Sequence, residues 1–193
     1  MTFHVEQGGS ELLEQYSRVP SAFQVKSIFE VRLINAGLGG IELVETPVEP
    51  YIKDYDAYDD GPPTAWRSQF DMRNWGVLVA CQADQPVAGA AIAIDTPGIN
   101  MLAGRSDLAV LWDIRVHPDW RGQGYGELIF DLAVQWARQH GCTEMKIETQ
   151  NINVPACRFY ARQGCTLGNI DRYGYQNVPV VSHETMLIWY LPL

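Results

Sequence analysis

The chain has 193 residues, enough for one domain with a buried core and too few for two of ordinary size. It is 47% hydrophobic and 19% charged, with a net charge of −9 from 14 Lys and Arg against 23 Asp and Glu. That balance excludes a nucleic-acid binder working through a basic face, and no run approaches the roughly 18 apolar residues of a membrane span. The start, MTFHVEQGGSELLEQ, has neither the basic nor the apolar region of a signal peptide, so a cytoplasmic location is expected. Cys81, Cys142, Cys157 and Cys165 form no C-x-x-C, and no His stands at ligand spacing from them. They read as reduced, mostly buried thiols, and no metal is expected.

In chain order, Phe3–Val5 reads as a short strand and Ser10–Ser17 as a helix with Ser10 as N-cap. Gln24–Ile34 and Ile41–Glu45 are strands around the glycine-rich Asn35–Gly40 turn, and 46–64 is a long loop rich in Pro, Tyr and Asp. A weak helix is expected at Thr64–Arg73. Trp75–Gln82 and Val87–Asp95 form a hairpin around Ala83–Pro86, and Ala109–Val116 is the next strand. Apolar residues at Leu128, Ile129, Leu132, Ala133, Trp136 and Ala137 predict a helix over 124–140 that stops at Gly141. Thr143–Thr149 is a strand, and Asn153–Gln163 is a helix with Asn153 as N-cap, Pro155 in its first turn and Gly164 at its end. Leu167–Gln176 and Glu184–Leu191 close the chain as strands. No internal repeat is present, and the order predicts a mixed α/β domain.

The most informative segment is Arg121-Gly122-Gln123-Gly124-Tyr125-Gly126, at the start of the 124–140 helix. The first N–H groups of a helix have no partner within it, and the dipole there favours an anion, so this turn is a pyrophosphate site by its chemistry. A dinucleotide fingerprint needs a third glycine where Glu127 stands. Glu144 lies about 20 residues on, as that fingerprint asks, but the turn follows an antiparallel meander. A bare structural turn does not need three alternating glycines behind an arginine.

The turn resembles motif A of the GNAT superfamily of N-acetyltransferases, R/Q-x-x-G-x-G/A, and matches it fully. Asn153-x-x-Ala156-x-x-Phe159-Tyr160-x-x-x-Gly164 resembles that family's motif B, with Cys165 where the family often has Phe. The run Glu148–Ala161, together with Trp112–Val116 and the strand of Tyr173 and Tyr175, is similar to the streptothricin acetyltransferases. The resemblance implies a GNAT-type fold: a mixed, mostly antiparallel central sheet with flanking helices, as one domain over 1–193. It implies acetyl-CoA as co-substrate. Arg121, Gly122, Gln123, Gly124, Tyr125 and Gly126 would cradle the pyrophosphate, and Ile114, Arg115 and Val116 would pair with the pantetheine as an added strand. Asn153 would donate to the pantetheine besides capping its helix.

Acetyl transfer to an amine needs a held thioester, a deprotonated amine and a protonated leaving thiolate. Tyr160, a phenol protonated at pH 7, is the implied general acid. A lysine-like amine with pKa about 10.4 needs roughly 4–5 kcal/mol to give its free base at pH 7, so a base is sought. Many relatives place Glu where this chain has Trp112. Asp113 beside it and Glu148 on the next strand are the candidates, each with a structural role as the alternative. His117, in the link before Pro118, reads as solvent-exposed. Glu42–Asp60 holds seven acids and Lys53, six of the nine net negative charges, with Tyr51, Tyr55 and Tyr58 interleaved. It is either a solvated loop or a lid for a cationic amine.

The reading is an acetyl-CoA-dependent N-acetyltransferase for a primary amine on a cationic small molecule such as streptothricin. A protein N-terminus or lysine as acceptor, or a non-catalytic acetyl-CoA-binding module, are the alternatives. A homodimer is compatible with it; nucleic acid and membrane are not expected partners.

Overall fold

The computed structural model describes residues 3–57 and 61–193. Among them the elements run β1 (Phe3–Gly8), α1 (Leu13–Tyr16), β2 (Phe23–Ile34), β3 (Gly40–Lys53), α2 (Trp66–Gln69), β4 (Trp75–Gln82), β5 (Gln85–Ile94), β6 (Leu108–Val116), α3 (Tyr125–Gln139), β7 (Glu144–Gln150), α4 (Val154–Arg162), β8 (Thr166–Asp171) and β9 (Met186–Pro192). By its internal contacts the chain divides into two compact units. The first is Met1–Phe23, Asp54–Ile147 and Pro192–Leu193; the second is Gln24–Lys53 and Glu148–Leu191.

In the first unit the strands stand in the order β1-β4-β5-β6-β7, antiparallel except for the β6–β7 pair. The expected mixed α/β class with a mostly antiparallel sheet is what forms. The sheet is buried on both faces, so β4 and β5 are nearly continuous apolar runs. On one face Val77, Val79, Ala91, Ala93, Leu108 and Val110 join Leu13, Tyr16, Trp66 and Trp75 in one core cluster. On the other lies α3. A Cβ at Gly76 would meet the Trp136 ring at 2.4 Å, so the bare glycine lets that ring lie against the strand.

The hairpin between β4 and β5 turns on two residues rather than four. Ala83 and Asp84 both have positive φ (49° and 65°), which matches the twist of the flanking strands, and Gln85 and Pro86 belong to β5. The helix expected at Ser10–Ser17 is split into a 3₁₀ turn, Ser10–Leu12, and α1. Ser10 is not its N-cap; Gly9 precedes the turn and gives its N–H to the Glu11 carboxylate at 2.8 Å. The weak helix expected at Thr64–Arg73 is also broken. Phe70 is extended (φ −129°, ψ 148°), and Asp71 caps a fresh turn, Met72–Asn74.

In the second unit, β2 and β3 form a two-stranded sheet, and β8 pairs antiparallel with β9. β3 corrects the long loop expected over 46–64, because Thr46–Lys53 is strand. Pro47 and Pro50 suggested a breaker. A strand with one unpaired edge tolerates proline where the missing N–H would face that edge, which accounts for one of these two, since residues three apart face opposite edges. β8 ends at Asp171, so Tyr173 and Tyr175 lie in a run of turns rather than in the strand expected through Gln176. α4 forms as expected. The Asn153 carboxamide accepts from the Ala156 N–H at 3.2 Å, Pro155 sits in the first turn, and Gly164 leaves the helix at φ 85°. The buried pair Lys53–Glu184 (2.5 Å, each 3% exposed) ties the end of β3 to the segment before β9.

Candidate active site

The Gly-rich turn belongs to the first unit. Gly122 (φ 73°) and Gly124 (φ 89°) take left-handed conformations, and a Cβ on either would meet nothing within 4 Å. The first bond of α3 runs from the Leu128 N–H to the Gly124 carbonyl, and no side chain caps the helix. Among the described residues the N–H groups of Gly122–Glu127 therefore have no acceptor, and open space lies in front of the glycines. Unspent N–H groups at a helix start, with open space before them, are suited to an anion. Arg121 is used partly within the chain: its Nε donates to the Val116 carbonyl (3.0 Å) and its Nη2 to that of Ala22 (3.1 Å). Tyr125 packs against Phe3 and Trp120. His117 is 23% exposed, and its Nδ1 accepts from the Asp119 N–H, which caps the turn Pro118–Trp120.

Strand β6 enters this turn. Its parallel pairing with β7 covers Leu108–Leu111, against Glu144–Ile147. From Asp113 to Val116 it pairs on the β5 side, and its other edge has no strand partner among the described residues. Ile114, Arg115 and Val116 lie on that open edge. The register with β5 slips there as well: Ala91 pairs with Asp113 and Ile92 with Leu111, so Trp112 is an extra, bulged residue. Trp112 packs on Trp66, Phe70 and Trp75, with ring centroids 6.4, 5.0 and 5.4 Å away.

The bulge resets the alternation that would have separated Val110 from Asp113. Asp113 and Arg115 now face the core side that carries α1. Asp113 Oδ2 accepts from the Tyr16 hydroxyl (2.9 Å) and from Arg115 Nε (2.5 Å). The Arg115 guanidinium, 3% exposed, makes a two-pronged pair with Asp56 (both 2.8 Å) and donates to the Val19 carbonyl (3.3 Å). Burial works against its charge, and the Asp113 and Asp56 carboxylates outweigh it, so its pKa is raised.

Asn153, Tyr160 and Glu148 belong to the second unit. Tyr160 is 5% exposed on the buried side of α4, with Phe159 and Trp189 beside its ring. Glu148 is half-buried on β7, on the face it shares with Gln150. Its Oε1 accepts from the Tyr175 hydroxyl (2.6 Å), which itself accepts from Gln150 Nε2 (2.8 Å). Asn151 was not singled out from sequence. Its buried carboxamide donates to the Phe29 carbonyl (2.9 Å) and accepts from the Thr185 N–H (2.8 Å), which fixes the chain two residues before the α4 cap. Its place in the run Glu148–Ala161 was the available signal. Tyr16 had none, since its partners lie about a hundred residues away.

Three of the five described acids in the acidic segment have partners within the chain. Glu45 pairs with Ser27 and Arg158, Asp54 accepts from Ser21, and Asp56 holds Arg115. Tyr58, Asp59 and Asp60 lie outside the described residues. Glu144 is an ion-pair partner of Arg105. His4, Glu6 and Cys81 come within 4.8 Å of one another, a spacing hidden in the sequence because it joins two strands. The Gln15 amide donates to both Glu6 and Cys81, so hydrogen bonds already account for the group. All four cysteines are free and buried.

Residues 41–165 match the model of the acetyltransferase (GNAT) family. The chain is 34% identical over 168 residues to the streptothricin acetyltransferase of Escherichia coli, spanning 87% of this chain and 84% of that one. It is 30% identical over 172 residues to that of Streptomyces lavendulae, spanning 88% and 82%. Among solved structures, nourseothricin acetyltransferase superposes with a TM-score of 0.74 at 24% identity, over 100% of this chain and 99% of that one. A Bacillus anthracis str. Ames protein described as a streptothricin acetyltransferase, in complex with acetyl coenzyme A, gives 0.75 at 23% identity over the whole of both chains.

Asn151→Ala leaves the buried Thr185 N–H without this acceptor and removes the donor to the half-buried Phe29 carbonyl. It is expected to lower unfolding stability by about 2–4 kcal/mol, read as a shifted denaturant midpoint at unchanged slope.

Proposed function

The chain belongs to the GNAT acetyltransferase family and is an acetyl-CoA-dependent N-acetyltransferase, and from that premise we propose that its acceptor is an amine of a cationic antibiotic of the streptothricin type. One observation carries the cofactor half: β6 loses its β7 partner after Leu111 and runs, with an open edge, into a turn of unpaired N–H groups. An extended amide chain ending in a pyrophosphate fits such an edge and turn, and pantetheine diphosphate has that chemistry. The acceptor half is supported by two relatives, at 34% and 30% identity over most of both chains, each a streptothricin acetyltransferase. We read the whole chain as one acetyltransferase domain, because the solved relatives span all of it.

In this proposal Gly122–Gly126 hold the pyrophosphate by backbone N–H groups. Arg121 braces the turn, and Ile114, Arg115 and Val116 offer backbone partners to the pantetheine. Asn153 caps α4 and donates to the same arm. The Tyr160 phenol gives its proton to the leaving thiolate. Glu148, whose Oε1 accepts from the Tyr175 hydroxyl, is the base we assign, directly or through a water. Asp113 is the weaker candidate, since Oδ2 already serves Tyr16 and a buried arginine. The amine attacks the thioester carbonyl, the C–N bond forms as the C–S bond breaks, and free CoA thiol leaves. The expected cytoplasmic location and homodimer stay with this proposal; four unbridged thiols fit a reducing compartment. Among the described residues no helix is long and apolar enough to cross a membrane.

CoA thiol release across an amine panel tests the function. Release with streptothricin and little with a ribosomal-protein N-terminal peptide is the expected result. Release with the peptide alone overturns the acceptor, and acetyl-CoA binding without release for any amine reduces the chain to a binding module. Gly124→Asp strains the backbone, since φ there is 89°, but its side chain enters open space; the folded variant, checked by circular dichroism, should bind acetyl-CoA at least about 100-fold more weakly through repulsion of the diphosphate. Tyr160→Phe should lower kcat by about 100-fold with the acetyl-CoA dissociation constant nearly unchanged; unaltered turnover removes it as the acid.

A further inference from the structure

The segment of β6 that would receive the pantetheine is the part held least by its own sheet. Past Leu111 it has β5 on one side and an open edge on the other. A strand edge used as a template must stay extended and at a fixed height relative to the pyrophosphate turn. Backbone pairing from one side does not secure that, so side chains have to.

We propose that Tyr16, Asp113, Arg115 and Asp56 form a positioning device that holds the open edge of β6 in register with the Gly-rich turn for acetyl-CoA. This inference rests on reading that edge and turn as the cofactor site. The bulge at Trp112 is its first part. Without the extra residue, alternation from Val110 would turn Asp113 and Arg115 toward α3. Gly89, the cross-strand partner of Arg115, is the second. A Cβ there would meet the Tyr16 ring at 2.6 Å, so the glycine allows the ring to lie directly on the sheet. Burial and the adjacent Asp113 raise the Tyr16 pKa well above its ordinary value, so the phenol keeps its proton and donates it to Asp113. The Arg115 guanidinium stands over the same ring, 5.3 Å from its centroid.

The rest of the device reaches the turn. Arg115 donates to the carbonyl of Val19, and Arg121 donates to that of Ala22. Two arginines, one on the strand and one in the turn, are thus fastened to the same four-residue stretch after α1. Arg121 also grips Val116, the last residue of β6. Asp56 is itself fixed, its N–H donating to Ser21 Oγ within that stretch (3.1 Å) and to Asp54 Oδ1 (3.1 Å). The planar guanidinium fork sets angles as well as distance, which a lysine at 115 would not.

Tyr16→Phe tests this most cleanly, because it keeps the ring on Gly89 and removes one hydroxyl. The acetyl-CoA dissociation constant, measured by calorimetry without amine, is expected to rise about tenfold, the effect of one lost hydrogen bond to a charged group. The KM for acetyl-CoA should follow, while kcat at saturation and the KM for the amine stay within about twofold. Lost folding alone would lower the active fraction, hence kcat, and leave the dissociation constant of the folded protein intact. Asp56→Asn should act in the same direction, and Arg105→Gln, at an ion pair elsewhere in the first unit, should change none of these. If Asp56→Asn does not fold, Tyr16→Phe decides. A Tyr16→Phe dissociation constant within twofold of the parent, or a loss confined to kcat, overturns the device. If Gly124→Asp abolishes binding in that case, the cofactor site stands and only the positioning role falls. If Gly124→Asp also binds normally, the cofactor reading itself has failed.

Discussion

A strand inside a sheet has to find partners for its N–H and C=O groups on both sides, and β6 meets that demand for only part of its length. Ala109–Leu111 is paired on both sides; Asp113–Val116 is paired on one. Much of the first unit follows from this change. The bulge falls at the same residue where the second partner ends, so the strand alters its side-chain facing where its backbone becomes available. The aromatic cluster of Trp66, Phe70 and Trp75 takes up the bulged Trp112 and keeps the distortion from spreading into the core. The α3 start, with its N–H groups unspent, lies where the strand delivers the chain.

The charges obey a related rule. Arg115 is almost wholly withdrawn from water, and a buried guanidinium is tolerable only with well-aligned carboxylates around it. Asp56 and Asp113 supply them. That is why an acidic segment that read as either a solvated loop or a lid is partly bound into the protein. The excess of acid in the sequence is thus an upper bound on the negative surface a cationic amine would meet.

The motif-bearing features were legible because each is written within a few residues. The glycines of 122–126, the cap at Asn153 and the stop at Gly164 all need a particular residue at a particular local position. Strand and helix cores followed from periodicity for the same reason. What stayed hidden depends on distant partners. The bulge at Trp112 arises from registry with β5. The run Thr46–Lys53 was obscured by two prolines, of which the open edge of a two-stranded sheet accommodates one. Tyr16 meets Asp113 across 97 positions of chain. The face on which Asp113 sits could not be read from alternation, since alternation itself is broken one residue earlier.

The buried thiols have a practical meaning for an enzyme whose product is a thiol. Cys81 and Cys142 are raised above the ordinary thiol range by burial, Cys157 is pushed up to about 12 and Cys165 to about 11. Each is 7% exposed or less. The folded protein therefore offers a disulfide reagent almost no thiolate of its own at neutral pH. A colorimetric thiol count taken in the working enzyme reports released CoA, and a rise in the blank becomes a direct signal of unfolding.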